Sequence, residues 1–243
     1  MQILYITPSP PNSMSRIRTQ NIIKAMQKLG HQVTLVSFVY NDNDISTLKK
    51  CSSYIEDIKW VKQPKWKSMF KCLLGLLLPI PLRVLYCNSS KMKNTIERCL
   101  IEKDYDLIYI KRLRMAQYAY LGRQKHITTI VDITDSLTKY YERISKKESG
   151  WKKLLDYEEY YKHRIYEPKM CKHNAPIVIC SEDDKNYLTD IDSELNNNIF
   201  VMNNSIETSI WLSDAVVTAV EGERKRLTFF GMMDYAPNII AAK

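Results

Sequence analysis

Apolar and polar positions alternate in blocks along this chain, and the blocks have the lengths of strands and helices. Residues 2–7, QILYIT, form an apolar run that predicts a strand, and PSPPNSMS follows as a loop. Over residues 16–29, Ile17, Ile22, Met26 and Leu29 recur near one face of a helix that Gly30 stops. HQVTLVSFV then supplies a second strand. Strand, loop, helix, glycine and strand in that order make a βαβ unit, which requires a parallel sheet and a right-handed crossover.

The alternation continues. IEDIKWV predicts a third strand, residues 88–102 a helix, YDLIYIK a buried strand, residues 115–121 a short helix and ITTIVDI another strand. Residues 147–174 are charged and rich in Tyr, and they predict a helix with Leu154, Tyr157, Tyr161 and Ile165 as the stripe that lies on the sheet. Pro168 should kink or divide that helix. PIVICS, a helix capped by Ser181 with acidic residues in its first turn, and NIFVMNN complete the pattern. The fold class expected is α/β, a Rossmann-like doubly wound parallel sheet over residues 1–208. A linker is expected at 209–225, and the strand, glycine turn and Pro-Asn helix start at 226–243 are expected to open a second domain whose remainder the sequence lacks. Without its own sheet, the run 227–230 should dock poorly or pair with an available edge.

Composition narrows the partners. With 45 % hydrophobic and 26 % charged residues and 6 Gly in 243, the chain is an ordinary globular protein. Its net charge of +9 favours an anionic partner, either a phosphorylated substrate or a phospholipid surface. The basic residues are dispersed rather than interleaved with stacking aromatics, which argues against nucleic acid. Six scattered Cys without a C-x-x-C pair read as reduced thiols, and the N-terminus has no basic n-region or cleavage site, so a cytoplasmic location is expected. Residues 65–83 hold an apolar run, 72–82, far short of the ~20 residues needed to span a bilayer. It reads equally as a helix lying in the headgroup region or as a buried helix ending at Pro79.

In an open parallel sheet, ligands bind beyond the carboxyl ends of the strands. The residues there are polar: 9–18, 111–114, 132–136, 181–184 and 203–207. The first loop lacks G-x-G-x-x-G, which removes the main support for a free-standing dinucleotide-binding or oxidoreductase domain. It offers instead Ser13, Ser15, Arg16 and Arg18 at a helix start, an arrangement that can hold an anion or simply be a solvated first turn. Asp132, Thr134, Asp135 and Ser136 end a central strand. Carboxylates there can hold sugar hydroxyls, take a proton or bind a metal, while Asp135 or Ser136 can equally cap the next helix. The four His have no metal-ligand spacing, and no metal site is expected.

Taken in order, these segments resemble the N-terminal half of GT-B glycosyltransferases, in particular the family 4 group of bacterial surface-polysaccharide sugar transferases. Arg18 matches the family's Arg after the first loop, whereas Met14 or a neighbouring Ser stands at its loop Gly. VDITDS is similar to the segment beside the acceptor crevice, with Thr134 where many members have His. Glu167 matches a Glu near the end of the long helix, and Ser181, Glu182 and Asp184 match a Ser-Glu-x-Asp signature. Asn204-Ser205-Ile206-Glu207 replaces Asn-Gly-Val-Asp, and Phe229, Gly231, Met233, Asp234, Tyr235, Pro237 and Asn238 match the opening of the donor-binding domain.

The resemblance implies transfer of a sugar from a nucleotide-sugar donor, with no other cofactor, to a saccharide or lipid-linked saccharide acceptor at the inner face of the cytoplasmic membrane. It implies catalytic roles for Asp132 and Asp135, and contacts to acceptor or donor phosphate from Ser13, Ser15, Arg18, Ser136, Ser181, Asn204 and Gly231. The family's paired-glutamate half is not in this sequence, so the chain alone is expected to have little transferase activity, the other half being lost or on a separate chain. The alternative expectation is a non-catalytic, membrane-associated carbohydrate-binding or partner-binding domain, in keeping with the two replaced glycines.

Overall fold

The computed structural model describes residues 1–11, 17–146, 149–174 and 176–205. The chain divides into two units, Met1–Ile206 and Glu207–Lys243, and the fold described is that of the first. The linker expected at 209–225 and the elements expected at 226–243, Gly231 among them, lie outside the described residues, as do Ser13, Ser15 and Arg16.

Seven parallel strands form one sheet: β1 (Gln2–Thr7), β2 (Gln32–Val39), β3 (Asp57–Lys62), β4 (Leu107–Lys111), β5 (Thr128–Thr134), β6 (Ile177–Ile179) and β7 (Ile199–Val201), in the order β3-β2-β1-β4-β5-β6-β7. The helices are α1 (Ile17–Lys28), α2 (Asp42–Cys51), α3 (Lys65–Leu74), α4 (Leu82–Tyr86), α5 (Ser90–Glu102), α6 (Ala119–Gln124), α7 (Leu137–Ser145), α8 (Gly150–His173) and α9 (Glu182–Ile191). This is the doubly wound Rossmann-like sheet expected, and the chain reverses its winding direction between β1 and β4, the switch point of the sheet.

Burial on both faces explains why the central strands are predominantly apolar. In β1, Ile3 and Tyr5 enter the core beneath α1 and α2, whereas Leu4 and Ile6 enter the larger core built with Met92 and Ile96 of α5 and Cys171 of α8. The edge strand β3 buries only Val61 and exposes Trp60 and Lys62. In α1 the buried residues are Thr19 and Ile23, with Ile22 and Met26 packed beside them; Ile17 and Leu29, expected on that face, are exposed. α2 was not expected: its apolar content is slight, but Asn41 accepts from Asp44 N at 2.9 Å and fixes its start.

α8 differs most from expectation. It is one helix of 24 residues that runs through Pro168, and the stripe Leu154, Tyr157, Tyr161 and Ile165 is exposed rather than laid on the sheet. The opposite, polar face is buried, with Glu159, Lys162, His163 and Glu167 all within it. The reason lies in the ends of neighbouring helices, whose first N–H and last C=O groups have no partner of their own. Glu167 accepts from Leu137 N at 3.1 Å, Thr138 N at 2.8 Å and Ser136 Oγ at 3.2 Å at the start of α7. Glu159 accepts from Leu82 N at 3.0 Å at the start of α4, and Lys162 donates to the carbonyls of Gly75 and Leu76 at 3.2 and 3.1 Å, in the single 3-10 turn that follows α3. One polar face thus closes three breaks in the chain.

The segment 65–83 is not one helix, and no helix in it ends at Pro79. It is α3, the 3-10 turn Gly75–Leu77, a bend through the prolines and the start of α4. Gly122 in α6 permits its close approach to the sheet, since a Cβ there would lie 2.3 Å from Thr129 Oγ1 and 2.7 Å from Ile108 Cδ1. Gly122→Ala is therefore expected to destabilise the protein by about 1–3 kcal/mol, measured by urea unfolding. Unchanged stability would mean that α6 does not pack at this distance.

Candidate functional site

At the carboxyl ends of β1, β4 and β5, beside the switch point, lies a cluster of charged groups centred on Asp132. Its side chain is fully buried, and Oδ2 accepts from Lys111 Nζ at 2.7 Å, Tyr109 Oη at 2.8 Å and Arg18 Nε at 3.3 Å, while Oδ1 accepts from Thr134 Oγ1 at 3.2 Å. Burial alone would push this carboxyl up. Lys111 and Arg18, together with the hydrogen bonds from Lys111 and Tyr109, outweigh it and hold the group below its ordinary range. Burial pulls Lys111 down to about 8 despite its pairing with Asp132, and at neutral pH both remain charged.

Each strand contributes for a local reason. Tyr109 and Lys111 alternate along β4 and so share one face, where Tyr109 stacks on Tyr5 of β1 with centroids 5.0 Å apart. Arg18 stands in the first turn of α1 and reaches across to the chain after β7, donating from Nη1 to Met202 O at 2.8 Å and Asn204 Oδ1 at 3.0 Å. Asn21, one turn on, donates to Ser205 O at 2.8 Å. Arg112 and Thr134, at the ends of β4 and β5, have φ of 75° and 71°, uncommon for any residue but glycine and most strained for the β-branched Thr134, at a cost of about 1–3 kcal/mol each. The register between β5 and β6 shifts at Asp132 and Thr134. This strain is concentrated where the site is built.

The structure therefore brings together Arg18, Asp132 and Asn204, which the sequence singled out. Asp135 stands apart, half-exposed, and pairs with Arg112 at 3.4 Å. Ser136 and Ser181 are helix caps: Ser136 accepts from Lys139 N at 3.3 Å at α7, and Ser181 accepts from Asp184 N at 3.1 Å at α9. Ser13, Ser15 and Gly231 lie outside the described residues. Sequence reasoning inspected residues 111–114 without giving any of them a role. The signal was there, since Lys111 and Tyr109 are polar groups in a strand buried throughout.

Asp135, Cys180 and Asp184 offer ligand atoms within 4.8 Å of one another. Burial, with the adjacent Asp135, pushes the Cys180 thiol up to about 12, so it keeps its proton and donates it to Asp135 at 3.0 Å. Asp184 accepts instead from Ser181 Oγ at 2.9 Å and pairs with Lys139 at 3.3 Å. The crevice itself is cationic: Arg18 and Lys111 face Asp132, and Arg112 faces Asp135. Arg18 Nη2 and Arg114 Nε are buried without a hydrogen-bond partner among the described residues.

No protein-family model matches this chain, and no curated protein matches it in sequence. Solved structures do match in shape. They include a protein of Listeria monocytogenes assigned as a UDP-N-acetylglucosamine 2-epimerase, with TM-score 0.51 and 11 % identity over 82 % of this chain and 44 % of that one. A UDP-glucosyltransferase from Polygonum tinctorium capable of glucosylating indoxyl matches with TM-score 0.52 and 7 % identity, over 85 % and 53 %. UGT2 of Phytolacca americana, solved with UDP-2-fluoroglucose and pterostilbene, matches with TM-score 0.51 and 9 % identity, over 87 % and 56 %. The chain thus spans about half the length of the structures it resembles. At these identities the likeness establishes the fold alone: a Rossmann-like sheet such as forms one half of a GT-B molecule.

Removing the Asp132 charge would leave Lys111 and Arg18 buried together. Asp132→Asn is expected to cost about 3–5 kcal/mol and Tyr109→Phe about 1.5–3 kcal/mol in urea unfolding. Because the Asp132 carboxyl is held below its ordinary range, its contribution is complete above the unfolded carboxylate pKa of about 4 and is lost as pH falls through the folded value. The gap between wild type and Asp132→Asn should therefore narrow in acid; a gap constant down to the acid limit would contradict the pairing.

Proposed function

We propose that this chain serves glycosyl transfer as the acceptor-side half of a GT-B enzyme of the family 4 type. The donor is a nucleotide-sugar and the acceptor a saccharide or lipid-linked saccharide, in surface-polysaccharide synthesis at the cytoplasmic face of the inner membrane. The carrying observation is the cationic crevice at the switch point, in which Arg18 retains a buried, unpartnered guanidinium nitrogen among the described residues. Such groups are the donors that a phosphate or diphosphate accepts. Negative charge grows on the diphosphate as the sugar leaves, and fixed cations in a partly buried site stabilise it there.

The two carboxylates have different parts in this reading. Asp132 accepts from four donors and stays ionised, so it is a positioning residue that holds Lys111 and Arg18. Asp135 is half-exposed and accessible, and it is the carboxylate able to meet an acceptor hydroxyl.

Nucleotide binding tests the reading. UDP and UDP-sugars are expected to raise the melting temperature, and Arg18→Lys, which keeps the charge but loses the planar fork, to weaken UDP binding about tenfold. Affinity should also fall as pH rises through about 8, where Lys111 loses its charge and ceases to offset Asp132. Absence of any shift with nucleoside diphosphates, nucleotide-sugars or pyrophosphate would overturn the proposal in favour of a non-catalytic carbohydrate-binding or partner-binding domain.

A further inference from the structure

Arg114 stands in the 3-10 turn Leu113–Tyr118 that follows β4, and its Nε is buried without a hydrogen-bond partner. Its neighbours Lys111 and Arg112 pair with Asp132 and Asp135. Among the described residues Arg114 forms no ion pair, so the fold holds a cation here that it does not itself neutralise.

Two tyrosines stand near it. Tyr40 follows β2 and Tyr86 ends α4, and their rings lie 5.7 Å apart, tilted by 35°. Both are half-buried and pack on the core that holds Leu4, Ile6 and Phe38, whereas Tyr5 and Tyr109 beside Asp132 belong to the core on the other face of the sheet. Because β1 lies between β2 and β4, Tyr40 and Arg114 leave the sheet on either side of its carboxyl end. Burial pushes the Tyr40 and Tyr86 hydroxyls and the Cys87 thiol up, against the pull of the Arg114 charge. All three keep their protons, so none of them offsets Arg114.

The surroundings of Arg114 are fixed in place. Gln117 Nε2 donates to Arg114 O at 2.7 Å and to Val84 O at 3.0 Å. Tyr118 Oη donates to Cys87 O at 2.7 Å and accepts from Ser89 N at 2.9 Å. The turn after β4 is thereby tied to the segment that bears Tyr86, and the guanidinium and the two phenols are held ready for a ligand. Aromatic walls with a few placed polar groups are the usual lining of a small-molecule site. A guanidinium takes a carboxylate through two parallel N–H bonds, and one uncompensated charge matches a monoanion. Arg112, two residues earlier, pairs with Asp135, the carboxylate assigned above to an acceptor hydroxyl.

We infer that Arg114, Tyr40 and Tyr86 form an acceptor subsite for an acidic sugar, a uronic acid whose carboxylate lies on the guanidinium and whose ring rests against the tyrosines. This rests on the acceptor-side reading proposed above and names the class of sugar that such a site takes.

The experiment is saturation-transfer NMR of the full chain with methyl β-D-glucuronide and methyl β-D-glucoside, which share a ring and differ only in the carboxylate. The glucuronide should bind about tenfold or more tightly than the glucoside. Arg114→Gln should remove that preference, Arg114→Lys, which keeps the charge without the planar fork, should retain part of it, and Tyr86→Leu should weaken both probes. Circular dichroism and melting temperature confirm that the variants fold, and Arg114→Gln should leave UDP binding at Arg18 and Lys111 unchanged. Equal binding of the two glycosides, no signal from the glucuronide, a preference that survives Arg114→Gln, or loss of UDP binding in that variant would each overturn the inference. A wild type that prefers the glucuronide but does not bind UDP would strike the transferase reading alone and uphold this subsite as that of a carbohydrate-binding domain.

Discussion

A carboxylate at the end of a central strand, taken out of water, must be paired, and that requirement organises the functional end of this molecule. Asp132 draws Lys111 and Tyr109 from the neighbouring strand and Arg18 from the helix after the first strand. Arg18 in turn reaches the chain that leaves the last strand. One buried negative charge thus links segments from the beginning, middle and end of the described fold. Because Arg18, Lys111 and Arg112 outnumber the two carboxylates they pair with, and Arg18 keeps a buried guanidinium nitrogen without a partner among the described residues, the same arrangement that stabilises Asp132 leaves the crevice suited to an anion.

A second constraint comes from the short helices beside α8, whose ends leave backbone groups without partners. Glu167, Glu159 and Lys162 satisfy them from a single helix. Burial pushes Glu167 up, against hydrogen bonds from Thr138, Leu137 and Ser136. His163 on the same face stacks on Tyr141 at 4.8 Å and is pulled down to about 4 by burial, so it is neutral there. This use of polar residues inward is what turns the apolar stripe of α8 outward. The exposed face of α8 is therefore a consequence of how the helix ends are satisfied, and it gives the protein a surface chemically distinct from its crevice.

Much of this was legible in the sequence. The inner positions of β1 are all apolar and those of β2 are apolar but for Thr34 and Ser37, and such runs fit strands covered on both faces. Arg18 and Asp132 stood out as charges next to strand ends, and they meet in space at 3.3 Å. The caps Ser136 and Ser181 were legible as well, although a Ser before a helix looks the same whether it meets a ligand or only the backbone. What could not be read was which partner each charge finds. Lys111 and Tyr109 became part of the site only when parallel pairing set Lys111 opposite Asp132.

The sequence by itself determined the alternation of elements, their parallel pairing and the excess of positive charge, because hydrophobic period and composition are local properties of the chain. Tertiary structure decided which faces those elements present. A helix pattern shows two faces but not which one is inward, and in α8 the polar face was buried because the ends of three neighbouring segments needed hydrogen-bond partners more than the core needed another apolar stripe.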